Sequence, residues 1–261
     1  MFDQPAVLIT GAANGIGAEI ARRFAKEGWF IGVSDLDANA VRELVSELGE
    51  DRSMGLSLDV TSEDQWQSAL ESFEQRTGRL DLLVNNAGVL FSGRFETIPL
   101  AKQLLLMDVN VKGVVTGCYK AFPYLKKTAS SRVINLASAS AIYGQPSLAA
   151  YSSSKFAVRG LTEALNIEWE DHDITVMDMM PLFVSTAMVK DMDAQSISKL
   201  GVKLTPTDVA NAVWKAANSG RKRQIHWPVG LDTQILYRFS GFMPDWVSRS
   251  INRWIGWSGH D

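Results

Sequence analysis

Three side chains between residues 138 and 155 have the types and the spacing needed for proton transfer. Tyr151 and Lys155 are four residues apart, and residues 156–165 continue with a helical pattern, so we expect both on one helix face, one turn apart. A lysine ammonium stabilises a neighbouring phenolate, which predicts that the pKa of Tyr151 falls from about 10 toward neutral. Tyr151 would then act as a general acid and base. Ser138 ends an apolar, strand-like run, 132–137, which predicts that its hydroxyl lies at the carboxyl edge of a sheet.

A tyrosine and a lysine at this spacing also occur on ordinary surface helices. Whether the pair is catalytic therefore depends on motifs elsewhere in the chain. Near the N-terminus, a short apolar strand at 6–10 leads into Gly11, Gly15 and Gly17, and a helical pattern follows at 18–27. Small residues let the backbone approach a pyrophosphate, and a helix N-terminus offers free N–H groups and the positive end of a dipole. The glycine spacing departs from the usual Gly-x-Gly-x-x-Gly, and a plain strand-to-helix turn is the alternative.

An acidic residue follows the second predicted strand, 29–34. Asp35 lies 18 residues after Gly17, where its carboxylate is placed to accept hydrogen bonds from the adenosine ribose. The same charge would repel a 2′-phosphate, and no lysine or arginine lies in the glycine loop or directly after Asp35. This favours NAD over NADP. The next helix is better capped by Asp37 than by Asp35.

Strands and helices then alternate along the chain. Residues 54–58 form a strand that ends at Asp59, and residues 80–84 form one that ends in Asn85-Asn86-Ala87-Gly88. This alternation predicts an α/β fold with a Rossmann-like, doubly wound parallel sheet in three α/β/α layers. We expect one catalytic domain at 1–228 and a helical tail at 229–261 on the same domain. The polar residues fall at strand carboxyl ends, where such sheets bind ligands.

Composition excludes several classes of function. The net charge of the 261-residue chain is −3, which offers no electrostatic footprint for nucleic acid. Cys118 is the single cysteine, and His172, His226 and His260 match no metal-ligand spacing, so no metal is expected. Strand-like sequence begins almost at once, and no run of about 18 apolar residues occurs, so we expect neither a signal peptide nor a membrane span. These features favour a cytoplasmic protein.

Taken together, these residues resemble the short-chain dehydrogenase/reductase family over roughly residues 5–190. The matching pieces, in the order and spacing of the family, are Thr10–Gly17, Asp59, Asn85–Gly88, Asn110, Ser138, Tyr151 and Lys155.

The resemblance implies roles for individual side chains. Ser138 would orient the substrate oxygen, Tyr151 would transfer the proton, and Lys155 would lower the tyrosine pKa and hold the nicotinamide ribose. Asn110 would kink its helix and anchor a water that leads from the lysine to solvent. The residues expected to contact the cofactor are Gly11, Asn14, Gly15, Ile16, Gly17, Asp35, Asp59, Val60, Asn86, Ala87, Gly88, Tyr151, Lys155, Pro181, Val184 and Thr186.

The substrate pocket is expected to involve Ser140, Tyr143, Leu182 and Met188. Leu182 stands where the family usually has a glycine, so its side chain would crowd the nicotinamide or reshape the mouth of the pocket. Residues 187–204 correspond to the mobile lid of the family, and an ordinary surface loop and helix is the alternative.

The tail at 229–261 repeats large apolar residues at mostly three- or four-residue intervals, which predicts one or two amphipathic helices. It would cover the substrate pocket, form a subunit contact or lie on a membrane surface. Packing against protein is favoured, because apolar helical stripes are usually buried. Tryptophans next to arginines motivate the membrane interpretation. The stripe consists of Ile235, Phe239, Phe242, Trp246, Ile251, Trp254 and Trp257, between Arg238, Arg249 and Arg253.

The sequence therefore predicts an NAD-dependent oxidoreductase that interconverts a secondary alcohol and a ketone, or a primary alcohol and an aldehyde, on a fairly apolar substrate. The resemblance implies a dimer or tetramer formed through the helices that carry Asn110 and Tyr151. A protein that binds NAD as a sensor without turnover is the main alternative, although it would not need a tuned proton donor. Isomerases and dehydratases on this fold usually carry a longer substrate domain.

Overall fold

A parallel β-sheet forms the centre of the molecule. The structure is a computed structural model and describes residues 4–190, 192, 195–220 and 224–257. Within these ranges, seven strands pair in the order β3-β2-β1-β4-β5-β6-β7, all parallel. The predicted doubly wound fold is thereby confirmed. The strands are β1 (Ala6–Thr10), β2 (Phe30–Asp35), β3 (Ser53–Ser57), β4 (Leu82–Asn85), β5 (Arg132–Leu136), β6 (Thr175–Pro181) and β7 (His226–Val229).

Helices cover both faces of the sheet. One face packs against α1, α2 and α9, and the other against α3, α5 and α6. The helices are α1 (Gly15–Lys26), α2 (Ala38–Leu48), α3 (Glu63–Thr77), α4 (Leu100–Met107), α5 (Gly113–Leu125), α6 (Ala149–Glu168), α7 (Ala187–Lys190), α8 (Gln195–Leu200), α9 (Pro206–Ala217), α10 (Leu231–Ser240) and α11 (Asp245–Gly256).

The strand side chains fill two separate cores. Along β1, Val7 and Ile9 enter the core beneath α1 and α9, whereas Ala6 and Leu8 enter the core beneath α3 and α5. All four are fully buried, because successive side chains of a strand point to opposite faces and both faces here are covered. The carboxyl ends of the strands are thus fixed from both sides.

Local sequence signals place the helix ends. Asp37 caps α2 by accepting hydrogen bonds from the N–H groups of Asn39 and Ala40, as predicted. Thr205 and Asp208 form a capping box at the start of α9, with Pro206 in the first turn. Between α4 and α5 the chain forms a π-helical turn, Asp108–Lys112, which confirms the predicted helix irregularity at Asn110.

Cys118 lies on the inner side of α5. Its thiol is buried next to the Asn85 amide, whose Nδ2 is 3.5 Å from the sulfur. Burial raises the pKa of the thiol to about 12, so the side chain behaves as a small apolar group, as predicted.

Side chains of α6, β6 and β7 hold α10 in place. The Tyr237 ring lies 5.6 Å from the His226 ring and 5.6 Å from the Arg159 guanidinium. His226 lies between two carboxylates, 2.9 Å from Asp178 and 3.0 Å from Glu163. These contacts fix the inner face of the helix against the sheet.

The C-terminus of α11 packs against the segment that precedes α6. A Cβ atom at Gly256 would lie 2.8 Å from Cδ of Pro146, so only a glycine fits this contact. Lys199 of α8 donates a hydrogen bond to the Trp254 carbonyl, which joins α11 to the predicted lid.

Most of the predicted aromatic stripe is not buried by these contacts. The large side chains Ile235, Phe239, Phe242, Trp246 and Trp254 remain exposed in the single chain. Packing against protein, the favoured interpretation, would therefore require a second chain to cover them. Of the described helices, none is long and apolar enough to cross a bilayer. Residues 258–261, which include His260, lie outside the described residues.

Candidate active site

A cavity of about 460 Å³ lies at the carboxyl ends of the central strands. It brings together the glycine loop, the ends of β2 and β4, the segment after β5, and the loop after β6. Nearly all the predicted site residues line it: Gly11, Asn14, Gly15, Ile16, Asp35, Asp59, Val60, Asn86, Ala87, Gly88, Ser138, Ser140, Tyr151, Lys155, Pro181, Leu182, Val184, Thr186 and Met188. Gly17, Asn110 and Tyr143 are not part of the lining.

The glycine loop is shaped by positions that tolerate no side chain. Gly11 and Gly15 have φ angles of +61° and +55°, in the left-handed region that favours glycine. A Cβ atom at Gly17 would lie 2.2 Å from the Gly11 carbonyl oxygen. Gly17 therefore lets α1 approach the loop closely, although it does not face the cavity.

Two side chains from neighbouring strands tie this loop to the sheet. Thr10 Oγ1 accepts hydrogen bonds from the N–H groups of Asn86 and Ala87, both at 3.0 Å. The Asn86 amide donates in return to the carbonyl oxygens of Thr10 and Gly11, both at 2.9 Å. The ends of β1 and β4 are thus held as one rigid floor of the cavity.

The N-terminus of α1 suits an anionic group. Asn14 occupies the capping position without a side-chain hydrogen bond to the helix, and the first turn contains no acidic residue. The unpaired N–H groups and the dipole of such a terminus favour phosphate. The donor set and the glycine backbone therefore fit a dinucleotide pyrophosphate.

Asp35 lies beside this terminus at the end of β2. One carboxylate oxygen accepts the N–H of Ala13 at 3.1 Å, and the other accepts the N–H of Asp37 at 3.2 Å. These bonds fix the carboxylate on the cavity wall. Asp59 is held similarly, since its Oδ1 accepts from the backbone and the hydroxyl of Thr61.

Ser138 lies directly after β5 and its side chain is buried. Its Oγ accepts the N–H of Ser140 at 3.2 Å and lies 3.4 Å from the carbonyl oxygen of Pro181. The hydroxyl therefore lies between the segment after β5 and the end of β6. This is at the carboxyl edge of the sheet, as the sequence predicts.

Tyr151 and Lys155 lie one turn apart on α6, with Lys155 Nζ 5.5 Å from the centre of the tyrosine ring. The ammonium donates a 2.7 Å hydrogen bond to the Leu136 carbonyl. Lys155 is buried and Tyr151 is partly buried against the cavity wall, and desolvation is the largest effect on the pKa of each.

The predicted fall in the pKa of Tyr151 is wrong for this arrangement. Burial raises the pKa of Tyr151 to about 12, against a smaller opposing effect of a hydrogen bond with Ser138. Burial also lowers the pKa of Lys155 to about 8. Desolvation penalises the charged form of each group, and it is the largest effect on both pKa values.

Asn110 does not line the cavity, but it holds the segment after β4, which does. Its side chain accepts the N–H of Val89 at 2.8 Å and donates to the Val89 carbonyl at 2.9 Å. It also lies 3.3 Å from the Ser154 hydroxyl on α6. The π-helical turn therefore orients a side chain that joins the Val89 segment to the helix of Tyr151 and Lys155.

Tyr143 does not form the pocket wall that the sequence predicted. A short 3₁₀ turn, Ala139–Ala141, redirects the chain after Ser138, and the Tyr143 ring is buried in the core beneath α5 and α6. Its hydroxyl accepts a 2.9 Å hydrogen bond from Gln145, and Gln145 lines the cavity instead.

The sequence reasoning missed several apolar lining residues. Val89 and Leu90 could have been found as the residues that directly follow the Asn-Asn-Ala-Gly run, whereas Leu148 and Phe183 carry no local signal. Met192 falls within the predicted lid. With Leu182 and Met188 these residues make part of the cavity lining apolar.

The loop after β6 leads into the segment predicted as a lid, 187–204. Its base is closed by a bridge between Val184 and Leu204 and by a 2.8 Å hydrogen bond from the N–H of Ser185 to the Leu204 carbonyl. Met188 and Met192 extend from this segment over the cavity. Residues 191, 193 and 194 of the predicted lid lie outside the described residues.

Comparison with known proteins agrees with the family resemblance seen in the sequence. A family model described as short chain dehydrogenase matches residues 5–197. The chain is 36% identical over 194 residues to a 3-beta-hydroxysteroid dehydrogenase of Comamonas testosteroni, covering 74% of this chain and 76% of that protein. It is 31% identical over 216 residues to a meso-2,3-butanediol dehydrogenase of Serratia marcescens, covering 80% and 85%.

A solved structure shares the architecture. A 3-ketoacyl-(acyl-carrier-protein) reductase from Brucella melitensis, crystallised with NADH, superimposes with a TM-score of 0.81 at 28% identity and covers 86% of this chain and 96% of that one. The family match spans the glycine loop, the end of β4, the serine after β5 and the tyrosine–lysine helix, which meet in one cavity. By its sequence, its fold and this match, the chain belongs to the short-chain dehydrogenase family of oxidoreductases.

Proposed function

We propose that the protein is an NAD(H)-dependent oxidoreductase that interconverts a secondary alcohol and a ketone, or a primary alcohol and an aldehyde. The observation that carries this proposal is that Ser138, Tyr151 and Lys155 line the same cavity as the glycine loop and Asp35. A proton-transfer group and a dinucleotide-binding loop that share one cavity suit oxidation at a carbon that bears a hydroxyl.

The residues that would hold the dinucleotide come from four strand ends. The amides at the start of α1 would bind the pyrophosphate, Asp35 the adenosine ribose, and Asp59 and Val60 the adenine. Val184 and Thr186 would contact the nicotinamide end. When bound, the cofactor would accept or supply a hydride at the substrate carbon.

The fixed position of Asp35 supports the proposal of NAD rather than NADP. Two backbone N–H groups hold its carboxylate, so the negative charge cannot turn away from an added 2′-phosphate without losing both bonds. Like charges a few ångströms apart repel strongly where water is partly excluded.

Protein groups would move the proton that accompanies the hydride. In the oxidative direction, Tyr151 would take the proton from the substrate hydroxyl as the carbon loses hydride, and in the reductive direction it would return that proton to the carbonyl oxygen. Ser138 would orient the oxygen. Because burial raises the pKa of Tyr151 to about 12, the phenol favours its protonated form, and Lys155, whose pKa is lowered to about 8, would offset this when charged.

We propose a fairly apolar substrate. The cavity that contains Ser138 and Tyr151 is also lined by aliphatic and thioether side chains, Val89, Leu90, Leu148, Leu182, Met188 and Met192. One relative is named for a hydroxysteroid and another for a small diol, so the relatives span both apolar and polar substrates. The lining favours the apolar class.

Self-association is proposed through α4, α5 and α6. These helices present large apolar side chains to solvent, Leu100, Leu104, Val115, Tyr119, Phe156 and Ile167. Exposed apolar side chains concentrated on neighbouring helices usually mark a subunit contact, and a dimer or tetramer would bury them. Light scattering at several protein concentrations tests this point.

The decisive experiment measures nicotinamide absorbance with NAD and NADP across secondary alcohols of increasing chain length, hydroxysteroids and polyols. Tyr151→Phe should lower kcat by about 100- to 10,000-fold while NAD still binds. Tyr119→Phe, which removes only the hydroxyl of an exposed tyrosine on α5, is the matched control and should leave kcat unchanged.

Three outcomes would contradict parts of the proposal. Tight NAD binding with no turnover on any alcohol or carbonyl would favour the sensor alternative. Full activity of Tyr151→Phe would remove Tyr151 from the mechanism. Faster turnover of short polyols than of long-chain or steroid alcohols would overturn the apolar substrate class.

A further inference from the structure

The outer face of the two C-terminal helices exposes aromatic side chains to an unusual degree. Phe242 is 87% exposed, Trp246 is 72% exposed and Trp254 is 68% exposed. On α10, Leu231, Ile235 and Phe239 follow one another at four-residue intervals and are also exposed. We name the outer face of α10, α11 and the turn between them the tail face.

Basic side chains accompany these rings. Between Leu231 and Trp257 there are three arginines, Arg238, Arg249 and Arg253, and two acidic residues. One of these, Asp232, is paired with Lys203 at 2.7 Å, which leaves Asp245 against the three arginines. The tail face is thus locally basic although the whole chain carries a net charge of −3.

A groove of about 590 Å³ lies beside α11. It is lined by Asp245, Ser248, Arg249, Asn252, Arg253 and Trp257, and Pro146 closes one side. Two guanidinium groups one helical turn apart, with hydroxyl and amide donors between them, match the oxygens of a phosphate group. The exposed tryptophans lie next to this groove. Aromatic rings that could enter a bilayer and arginines that could bind lipid headgroups are therefore adjacent on α11.

We propose that the tail face docks on a bilayer surface that carries anionic phospholipids. The exposed aromatic rings enter the boundary between headgroups and acyl chains, and Arg249 and Arg253 bind headgroup phosphates. Interfacial helices that lie in the membrane plane have this combination of apolar rings and arginines, whereas a helix that spans a bilayer lacks the charges.

The position of the tail face favours a bilayer over a second copy of the chain. It adjoins the lid, because Lys199 of α8 donates to the Trp254 carbonyl and its ammonium lies 5.5 Å from the Trp254 ring. It also adjoins the segment before α6, through the tight contact of Gly256 with Pro146. Both segments contribute to the cavity lining, the lid through Met188 and Met192 and the segment before α6 through Gln145 and Leu148. A bilayer docked on the tail face would therefore lie next to two walls of the cavity. A second copy already has the apolar face of α4, α5 and α6 to bind.

Cosedimentation of the full-length protein with vesicles tests the proposal without any substrate, so it does not depend on the proposed activity. Wild-type protein should bind vesicles of phosphatidylcholine and phosphatidylglycerol, and bind them several-fold more weakly at high salt, because salt screens the arginines. The double variant Trp246→Ser, Trp254→Ser should bind these vesicles at least tenfold more weakly.

A variant that lacks two arginines distinguishes the contribution of charge to vesicle binding from the contribution of the inserted aromatic rings. Arg249→Gln with Arg253→Gln should weaken binding to the anionic vesicles by at least tenfold, at about fivefold per arginine, and should leave weak binding to pure phosphatidylcholine unchanged. Phe95→Ser is the matched control, since it removes an aromatic ring that is 59% exposed in the turn between β4 and α4, outside both the tail face and the proposed subunit contact. It should bind vesicles as the wild type does.

Thermal unfolding and light scattering are measured on each variant. The proposal is overturned if the wild type does not cosediment with anionic vesicles, or if the tryptophan variant binds like the wild type while remaining folded. Absence of vesicle binding, together with a smaller oligomer for the tryptophan variant, would instead identify a second copy as the occupant of the tail face.

Discussion

Gly17 offers a quantitative test of how the cofactor loop is built. A Cβ atom at this position would lie 2.2 Å from the Gly11 carbonyl oxygen, 2.6 Å from the Asn86 amide nitrogen and 2.9 Å from Cα of Ala12. Relief of the first contact alone requires the loop to move by roughly 1 Å, because nonbonded heavy atoms settle at about 3.5 Å. That movement breaks the 2.9 Å hydrogen bond from Asn86 to Gly11.

Gly17→Ala should therefore destabilise the protein despite its better helix propensity. Overpacking costs about 1–3 kcal/mol and a lost hydrogen bond about 1 kcal/mol, whereas alanine in a helix gains about 0.5–1 kcal/mol. The free energy of unfolding should fall by about 1–3 kcal/mol. Affinity for NAD should fall at least tenfold, because the displaced loop no longer presents its amides to the pyrophosphate.

Gly160→Ala is the matched control for this substitution. Gly160 is also within a helix, α6, but no described atom lies within 4 Å of a Cβ built there. This variant should gain about 0.5–1 kcal/mol and keep its NAD affinity. Urea unfolding at equal protein concentration and calorimetric titration with NAD measure both quantities. If Gly17→Ala kept the stability and the NAD affinity of the wild type, the loop and α1 would have room for a methyl group and the prediction would be refuted.

Three further predictions concern single side chains. The pKa of Lys155 is lowered from its ordinary value of 10.5 to about 8 in the folded chain. Between pH 8 and pH 10.5 this lysine is therefore protonated in the unfolded chain and largely neutral in the folded chain. The stability of the wild type relative to Lys155→Met should rise by about 3 kcal/mol across this range, and a flat difference in urea unfolding would contradict it. Thr10→Val leaves two backbone N–H groups without their acceptor and should cost about 2–4 kcal/mol in the same assay, against about 1 kcal/mol for Ser34→Ala, which loses one hydrogen bond. Asp35→Asn should shift the ratio of kcat/KM for NADP over NAD by at least tenfold toward NADP, and an unchanged ratio would show that another group selects the cofactor.

The framework of the site could be predicted because its signals are local. A strand that ends in glycines, or an Asp that precedes a helix, dictates its own backbone, and Asp37 caps α2 as its position suggests. The alternation of strands and helices then requires a parallel sheet, which brings the strand ends together. These steps need no knowledge of contacts between distant residues.

Burial and loop direction could not be predicted in the same way. The spacing of Tyr151 and Lys155 shows their proximity but not their removal from water, so the sign of the tyrosine pKa shift was wrong. Tyr143 has the right distance along the chain to reach the cavity, but the 3₁₀ turn after Ser138 sends it into the core. The tail shows its apolar stripe in the sequence, but not whether any surface of the chain is shaped to cover Trp246 or Trp254.

The burial of Cys118 makes this chain well suited to site-specific labelling at an introduced, exposed cysteine. As the single cysteine, with its pKa raised to about 12, it offers almost no thiolate to a reagent while α5 stays packed on β4 and β5. Its slow modification would therefore time the opening of that layer, in the manner of hydrogen exchange. One cysteine introduced at an exposed position such as Phe242 would carry a probe alone, without prior removal of the native thiol.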